Sequence, residues 1–307
     1  MGGTDDCEAL IVGGGPAGMV TAALLAEDGW RVCLVDGLPG GGRTMVMETV
    51  HDLPAAGPHT TGPMLASRLL DRTMDAHVEV MAEQARAVQP GAARHRVELD
   101  DTTLTAPVVI VATGTSQGHL DLPGERQLLG RGISHCASCD APLYAGQEVL
   151  LVGNGDWAIE EVLTLAGYAS RVTLVVPDDH LSCARSRARR LDACDNVEVL
   201  AATRVVGIDS GDGEQLVAVR LRRAGREWAA VVRAVVPHIG QRPNSEIVAA
   251  EVARDKGGYL ITEETRTSVT GIFGAGDVAR PNNQTIASAV ADAVVAARSA
   301  SAYLADR

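Results

Sequence analysis

The segment HCASCD, residues 135–140, places Cys136 and Cys139 two residues apart and follows the second cysteine directly with Asp140. A CxxC pair can hold a zinc ion, form a structural disulfide or carry electrons between two partners. The spacing alone leaves these three chemistries open. The elements that surround the pair must therefore decide between them.

The composition describes a folded chain that avoids nucleic acid. The 307 residues suffice for two domains, and 46% of them are hydrophobic, so each domain can bury its own core. The 27 basic and 39 acidic residues give a net charge of -12, which repels phosphate backbones. The chain has neither a basic, apolar leader nor a run of about 18 apolar residues, so we expect a cytoplasmic protein that does not bind membranes.

The first glycine cluster lies in a strand, turn, helix and strand pattern within residues 8–42. Gly13, Gly15 and Gly18 fit GxGxxG, in which the glycines make a tight turn, admit a pyrophosphate and let the helix pack on the strand. Asp36 ends the second strand, where an acid accepts a ribose hydroxyl. Glycines of an ordinary turn are the alternative, but the complete βαβ order predicts dinucleotide binding.

The same pattern returns in residues 148–179, where Gly153, Gly155 and Ala158 occupy the three motif positions. We therefore predict an α/β chain with two Rossmann-like dinucleotide-binding units.

Two further apolar strands end in glycine turns. VVIVATG ends with Thr113 and Gly114, and GIFGAGDVA contains Gly276 and Asp277, whose carboxylate can bind a hydroxyl. Residues 280–305 are rich in alanine and are predicted to be helical.

Six motifs resemble the low-molecular-weight thioredoxin reductase family in order and spacing, over essentially the whole chain. They are GGGPAG, VATG, HCASCD, GNGDWA, GQRPN and FGAGDV. The resemblance implies an FAD-binding domain formed by residues 1–114 and 244–307, and a nicotinamide-type domain of residues 115–243 inserted into it. It also implies a homodimer. The FAD contacts that it implies are Gly13, Gly15, Gly18, Asp36, Gly42, Thr113, Gly114, Gly276, Asp277 and Gln284.

The resemblance also implies a redox disulfide between Cys136 and Cys139. Zinc would need a second ligand pair, and the other cysteines contain no further CxxC, so we predict no metal site. A purely structural disulfide across so short a loop would remove little entropy from the unfolded chain. By position in the family, Cys139 faces the flavin, Cys136 exchanges with the external disulfide, and Asp140 donates and accepts protons. The remaining cysteines are expected to pack as small apolar residues: Cys7, Cys33, Cys183 and Cys194.

Two histidines lie near these motifs. His135 directly precedes the cysteine pair and is expected to be a solvated turn residue, although tuning of the thiolate is the alternative. His238 lies in the strand before GQRPN and is interpreted as structural.

The inserted domain departs from the family where the 2′-phosphate of NADPH would bind. Val176, Pro177 and Asp178 stand in place of the family's His-Arg-Arg, and Ser182 replaces a later arginine. Asp178 and Asp179 would repel a 2′-phosphate but suit the bare ribose of NADH. Four arginines of a predicted helix could help NADPH only by reaching back, and otherwise form a solvated face: Arg185, Arg187, Arg189 and Arg190.

Two other positions also differ from the family. Trp157 stands at the second glycine turn, where its indole either covers the pyrophosphate site or packs between helix and sheet. Arg43 follows Gly41 and Gly42 where the family has glutamine, and FAD binding is expected to survive this change.

These observations favour an FAD-dependent enzyme that passes electrons through Cys136 and Cys139 to a thioredoxin-like protein or a small disulfide. The electron donor is NADH, NADPH, reduced ferredoxin or another flavoprotein, with NADPH the least favoured by the residues present. One alternative is a dithiol oxidase that forms a disulfide in a small molecule with oxygen as acceptor. Another is a non-catalytic flavoprotein, against which the retained cysteines argue.

Overall fold

The computed structural model describes residues 7–38, 40–47, 49–50, 52–57, 59–211, 213–280 and 282–307. The chain forms two compact units, Met1–Ser116 with Arg242–Arg307, and Gln117–Gln241. The helices are α1 (Pro16–Glu27), α2 (Gly62–Asp75), α3 (Ala137–Asp140), α4 (Asp156–Ala166), α5 (Arg185–Asp192) and α6 (Ile286–Ala305).

The strands are numbered along the chain. The strands within residues 9–117 are β1 (Ala9–Val12), β2 (Val32–Val35), β3 (Glu79–Met81), β4 (Ala85–Gln89), β5 (His95–Leu99), β6 (Thr103–Ala106), β7 (Val108–Val111) and β8 (Thr115–Gln117). The remaining strands are β9 (Glu148–Gly153), β10 (Arg171–Val175), β11 (Val197–Leu200), β12 (Arg204–Asp209), β13 (Ala218–Arg223), β14 (Arg226–Val231), β15 (Ala234–His238), β16 (Gln241–Pro243) and β17 (Ile272–Gly274).

The first unit is built on a parallel sheet with the strand order β17-β7-β1-β2-β3. The strands β17, β7, β1 and β2 are buried on both faces, as parallel strands usually are, whereas the edge strand β3 is only partly buried. In β1, Ala9 and Ile11 enter the core beneath α1 and α6, whereas Leu10 and Val12 enter the core on the opposite face. The antiparallel sheet β4-β5-β6 contributes to that second core.

Local sequence signals explain the helix boundaries of this unit. Pro16 begins α1, because proline has a helical φ and needs no N–H partner in the first turn. Thr285 caps α6 in a reciprocal capping box with Ser288. The two helices pack together, and Trp30, just after α1, donates an indole hydrogen bond of 2.9 Å to Ser301 of α6.

The second unit repeats the plan with the parallel order β11-β10-β9-β15. Val149 and Leu151 of β9 pack toward α4, whereas Leu150 and Val152 pack toward the antiparallel sheet β12-β13-β14. The second glycine turn therefore lies at the carboxyl end of a central strand, where open α/β sheets bind ligands. The prediction of an α/β chain with two parallel sheets is confirmed.

One expectation about the cysteines was wrong. Cys7 and Cys33 do not pack as separate apolar residues: their sulfurs form a second disulfide, with the Cα atoms 6.2 Å apart. Both residues are buried, because Cys33 lies within β2 and Cys7 lies just before the neighbouring β1. Sequence spacing gave no sign of this pairing, since strand adjacency alone brings the residues together.

Among the described residues, no helix has the length and apolar character needed to span a bilayer.

Candidate functional site

The first glycine turn joins β1 to α1 and leaves room for an anion. Gly13 has a φ of 111°, which residues with a side chain rarely adopt. A Cβ on Gly18 would overlap the carbonyl oxygen of Gly13, so glycine is needed for α1 to approach the turn. A Cβ on Gly15 would meet no atom within 4 Å, and no side chain caps α1. The N–H groups at this helix end are therefore available to a pyrophosphate.

Asp36 follows β2 and points across the same turn. Its carboxylate accepts hydrogen bonds from the N–H groups of Gly14 and Leu38, the latter at 2.8 Å. A cavity of about 350 Å³ lies beside it. The lining residues are Val12, Gly13, Val35, Asp36, Gly37, Gln84, Ala85, Thr113, Ser116, Asn244, Glu246 and Ile247. The cavity and the carboxylate fit the adenosine half of a dinucleotide, with the ribose facing Asp36.

A second group of residues surrounds the N-terminal end of α1. Gly42 has a φ of 54°, and a Cβ there would lie 3.9 Å from the Cα of Gly15. Gly276 lies against the helix as well, since an added Cβ would lie 2.9 Å from that of Ala17. Space therefore excludes a side chain at Gly276, whereas at Gly42 the positive φ is what favours glycine.

Arg43 and Asp277 form an ion pair next to this edge. The guanidinium of Arg43 lies 3.4 Å from the Asp277 carboxylate and donates a 3.0 Å hydrogen bond to Thr115. Burial raises the pKa of Asp277, and the Arg43 charge opposes that shift. Arg43 thus replaces the neutral residue of the family with a charge that keeps Asp277 able to accept a hydrogen bond.

Of the remaining predicted FAD contacts, Thr113 lines the cavity and Gly114 bonds to one of its lining residues, whereas Gln284 bonds elsewhere. Thr113 lines the cavity, donates a 2.7 Å hydrogen bond to the carbonyl of Asn244 and accepts one of 2.8 Å from its side chain. Gly114 has a φ of 64° and accepts from the Asn244 N–H. Gln284 donates to the hydroxyl of Tyr259 at 3.2 Å rather than to a residue of the glycine turn. The open turn, the cavity and the paired carboxylate together fit the FAD that the resemblance implies.

The predicted redox pair lies in the second unit, around α3. Cys136 and Cys139 are disulfide-bonded, with their Cα atoms 5.3 Å apart. Cys136 is the N-terminal cap of α3, and its sulfur accepts a hydrogen bond of 3.2 Å from the Cys139 N–H. That N–H would stabilise a Cys136 thiolate after reduction. Cys136 is half-buried, whereas Cys139 is exposed.

Asp140 ends α3 and stands at the N-terminal cap of a following 3₁₀ turn, Ala141–Tyr144. Its side chain makes no capping hydrogen bond there. Burial raises the pKa of Tyr144, and the Asp140 charge adds to that shift.

The structure corrects the interpretation of His135 and refines that of His238. His135 is not a solvated turn residue: both its ring nitrogens are buried, and neither has a hydrogen-bond partner among the described residues. Burial lowers the pKa of His135, and the neighbouring His119 lowers it further. His238 is buried at the end of β15, where Nδ1 lies 3.6 Å from the Glu161 carboxylate, as expected of a structural residue.

The second glycine turn, between β9 and α4, is covered by a loop of its own unit. Asn154 accepts a 2.7 Å hydrogen bond from the Ser182 N–H and donates one of 3.2 Å to the carbonyl of His180. Asp156, the first residue of α4, accepts a 2.6 Å hydrogen bond from the Ala184 N–H. These bonds draw residues 180–184 against the helix end that would hold a pyrophosphate.

Further charges around this turn disfavour an anion. Asp156 adds a carboxylate in the first turn of α4, and Asp178 accepts a 2.8 Å hydrogen bond from the Asn154 amide. Trp157 is 42% exposed, so it does not pack between helix and sheet as one interpretation held. Ala158 is buried against the sheet, as its motif position requires.

The α5 arginines do not supply the missing phosphate ligands. Arg187 pairs with Asp156 and Glu160 at 3.3 and 2.9 Å, and Arg190 pairs with Glu160 at 2.9 Å. Arg185 and Arg189 are exposed on the same helix.

Sequence patterns missed several of these residues. Asn154 and Asp156 lie inside a recognised motif, GNGDWA, but their role depends on a loop about 28 residues away in the chain. Gln84 and Glu246 line the first cavity without any motif to signal them. His119 and Glu125, which lie beside His135, also carried no sequence signal.

Comparisons with known proteins agree with this geometry. Residues 8–298 match the family model "Pyridine nucleotide-disulphide oxidoreductase". The chain is 33% identical to a thioredoxin reductase of Mycolicibacterium smegmatis over 275 residues, which covers 88% of each chain. It is 31% identical over 302 residues to a bifunctional thioredoxin reductase/thioredoxin of Mycobacterium leprae, covering 97% of this chain but 66% of that longer protein.

The fold matches solved structures equally well. The Lactococcus lactis thioredoxin reductase in its FR conformation superposes with a TM-score of 0.92 at 26% identity, covering 98% of this chain and 100% of that one. The predicted pair of dinucleotide-binding domains is thereby confirmed as the fold class. The chain belongs to the pyridine nucleotide-disulphide oxidoreductases and, within them, to the low-molecular-weight thioredoxin reductase family.

Proposed function

We propose that this FAD-dependent disulfide oxidoreductase passes electrons through Cys136 and Cys139 to a thioredoxin-like protein or a small disulfide. The observation that carries the proposal is the Cys136–Cys139 disulfide at the start of α3, with Asp140 directly after it. The unit of Met1–Ser116 and Arg242–Arg307 would hold FAD, and Gln117–Gln241 would carry the redox pair. The names of the related proteins, thioredoxin reductases, support reduction over a dithiol oxidase.

FAD, when bound, supplies the pair of electrons that opens the disulfide. Reduction breaks the sulfur–sulfur bond and leaves two sulfurs that take up two protons, for which Asp140 is the nearest acid in sequence. The Cys139 N–H donates to the Cys136 sulfur and so lowers the cost of its thiolate.

The Cys136 thiolate then attacks the external disulfide, forms a mixed disulfide and displaces one external thiolate. Cys139 attacks the Cys136 sulfur in turn, which restores the internal disulfide and releases the second external thiol. Each cycle thus returns the chain to its starting state and moves two electrons to the partner.

NADPH is the least suitable electron donor in this proposal. Its 2′-phosphate would meet Asp178 where the family has arginine, and its pyrophosphate would meet Asp156 and the covering loop. NADH avoids the first conflict but not the second. A protein donor, reduced ferredoxin or another flavoprotein, avoids both because it does not need the second glycine turn.

Stoichiometric chemical reduction tests the function independently of the donor. The flavin of the purified protein is reduced anaerobically with dithionite, thioredoxin in its disulfide form is added, and the thiols formed on thioredoxin are counted. We expect two thioredoxin thiols for each pair of electrons that dithionite delivered to the chain, whereas flavin that stays reduced until oxygen is admitted would support the oxidase instead. Molar mass by light scattering tests the homodimer that the resemblance implies. Cytoplasmic location remains a prediction.

A further inference from the structure

Three side chains of the second unit converge although no motif links them. His119, Glu125 and His135 each offer one ligand atom, and these atoms all lie within 4.8 Å of one another. Nδ1 of His119 lies 3.6 Å from Oε1 of Glu125, and the two imidazole rings meet edge to face with centroids 4.9 Å apart. None of the three has a role in the proposed electron transfer.

Backbone contacts hold the two histidines beside one strand. Ser134, just before His135, donates its N–H to the carbonyl of Val235 in β15 at 3.0 Å. Gly118, just before His119, donates to the carbonyl of Gly240, beyond the end of that strand, at 3.2 Å. The relative position of the two rings is therefore set by the sheet of this unit.

Glu125 is fixed by the loop that it closes. Its carboxylate oxygens accept the N–H groups of Leu120 and Asp121, each at 2.9 Å, and its side chain is only 3% exposed. Each carboxylate oxygen has further lone pairs, so these bonds orient the group without exhausting it. Metal ligands are commonly oriented by such outer hydrogen bonds.

The ring nitrogens between these residues lack ordinary partners. Nδ1 of His119 and both ring nitrogens of His135 are buried and have no hydrogen bond to any described residue. Buried polar groups nearly always have a hydrogen-bond partner. Three buried nitrogens without one, beside a buried carboxylate, therefore indicate that a bound species supplies the missing interaction.

We propose that His119, Glu125 and His135 bind a divalent zinc-class metal ion. Two imidazoles and one carboxylate form a donor set that zinc accepts, whereas magnesium and calcium favour oxygen ligands. Ligand atoms around tetrahedral zinc lie roughly 3.3 Å apart, which is close to the 3.6 Å between His119 and Glu125. The other pairs lie within 4.8 Å, so zinc binding would require them to close by at most about 1.5 Å.

A cavity of about 390 Å³ lies against two of the three proposed ligands. Its lining residues are His119, Asp121, Leu122, Pro123, Gly124, Glu125, Arg126 and Gln127, so an ion and a bound water could approach from that side. The site would lie directly before Cys136 in the chain but contains no sulfur. It is therefore separate from any zinc binding by reduced CxxC thiols.

Calorimetric titration of the oxidised, metal-stripped flavoprotein with Zn²⁺ tests the proposal. Keeping the Cys136–Cys139 disulfide intact removes its thiolates, and a Cys183→Ser, Cys194→Ser background removes the two free cysteines. We expect one Zn²⁺ per chain with micromolar or tighter affinity. Loss of a residue that only hydrogen-bonds to a metal ligand weakens metal affinity by about 10-fold to 100-fold. Loss of a direct ligand should cost at least as much, so His119→Ala and His135→Ala should each weaken Zn²⁺ binding at least tenfold.

His180→Ala is the matched control, because the His180 imidazole is exposed in the same unit and pairs with Asp179, away from the proposed ligands. It should bind Zn²⁺ like the parent protein. Flavin content and thermal unfolding verify that each variant is folded. His119→Gln is a second, conservative variant that keeps the side-chain volume, so its loss of Zn²⁺ binding would not be due to misfolding. No saturable binding by the parent, or equal binding by the histidine variants and His180→Ala, would overturn the proposal.

Discussion

The side-chain oxygen of Asn154 accepts a hydrogen bond from the backbone N–H of Ser182 at 2.7 Å, which ties the loop after β10 to the glycine turn before α4. An asparagine inside a nucleotide-binding motif thus binds the protein's own backbone where a pyrophosphate would lie. This contact opposes nucleotide binding at the second glycine turn.

NADPH is expected to be a poor reductant of the flavin. In an anaerobic titration followed by flavin absorbance, low-micromolar NADPH should leave the oxidised spectrum nearly unchanged. Each lost charge-assisted hydrogen bond to the 2′-phosphate costs about 1.5–3 kcal/mol, or roughly tenfold or more in affinity. Rapid bleaching by NADPH would contradict the prediction, and bleaching by NADH alone would identify it as the donor.

Asp156→Asn should strengthen whatever nucleotide binding exists. The substitution keeps an oxygen that can accept from Ala184 but removes the charge at the end of α4. Charges in a first helical turn contribute about 0.3–1 kcal/mol, so a gain of roughly twofold to fivefold is expected in the same titration. Asp192→Asn, at the far end of α5, is the matched control and should have no effect.

Two glycines of the first turn should respond differently to alanine. Gly18→Ala forces a Cβ into the backbone of Gly13 and should lower the free energy of unfolding by about 1–3 kcal/mol or more. Gly15→Ala meets no neighbour and keeps an ordinary φ of -77°, so stability should change by less than about 0.5 kcal/mol. FAD affinity should nevertheless fall at least about tenfold, because the Cβ enters the pyrophosphate path. Urea unfolding of the apoprotein and fluorescence titration with FAD measure the two effects, and equal losses in both would refute this account of the turn.

The two redox cysteines should also behave asymmetrically. Cys139→Ser should abolish electron transfer from flavin to disulfide. If Cys139 faces the flavin, as the resemblance implies, Cys136→Ser should leave a Cys139 thiolate there and produce a long-wavelength charge-transfer band in the absorption spectrum. Cys194→Ser, which removes a free cysteine, should retain activity. Full disulfide reductase activity in both redox variants would make the assignment wrong.

The stability of the apoprotein should fall with rising pH through Asp277. Its folded pKa is raised by burial, so the folded state holds a proton that the unfolded state has lost above the ordinary pKa of 3.8. The free energy of unfolding therefore decreases from that value up to the raised pKa and is constant beyond it. Asp277→Asn should remove this decrease in urea titrations across the acidic range. Arg43→Gln should enlarge the decrease, because the Arg43 charge that opposes the raised pKa of Asp277 is lost. An unchanged pH dependence of the free energy of unfolding in both variants would show that it does not come from Asp277.

Much of the fold and part of the site could be predicted from sequence because they rest on local patterns. The βαβ order around Gly13, Gly18 and Asp36 depends on strand and helix periods, and on turn residues whose geometry suits glycine. Cys136, Cys139 and Asp140 lie within five consecutive positions, so one short helix is enough to bring them together.

Only the tertiary structure revealed the contacts between residues distant in the chain. The bonds of Asn154 and Asp156 to the following loop, the Cys7–Cys33 disulfide and the His119–Glu125–His135 cluster have this origin. Each depends on which strands lie side by side and on how a loop folds back over a helix end. Such pairings are set by packing over the whole unit, and the spacing of residues in the sequence does not report that packing.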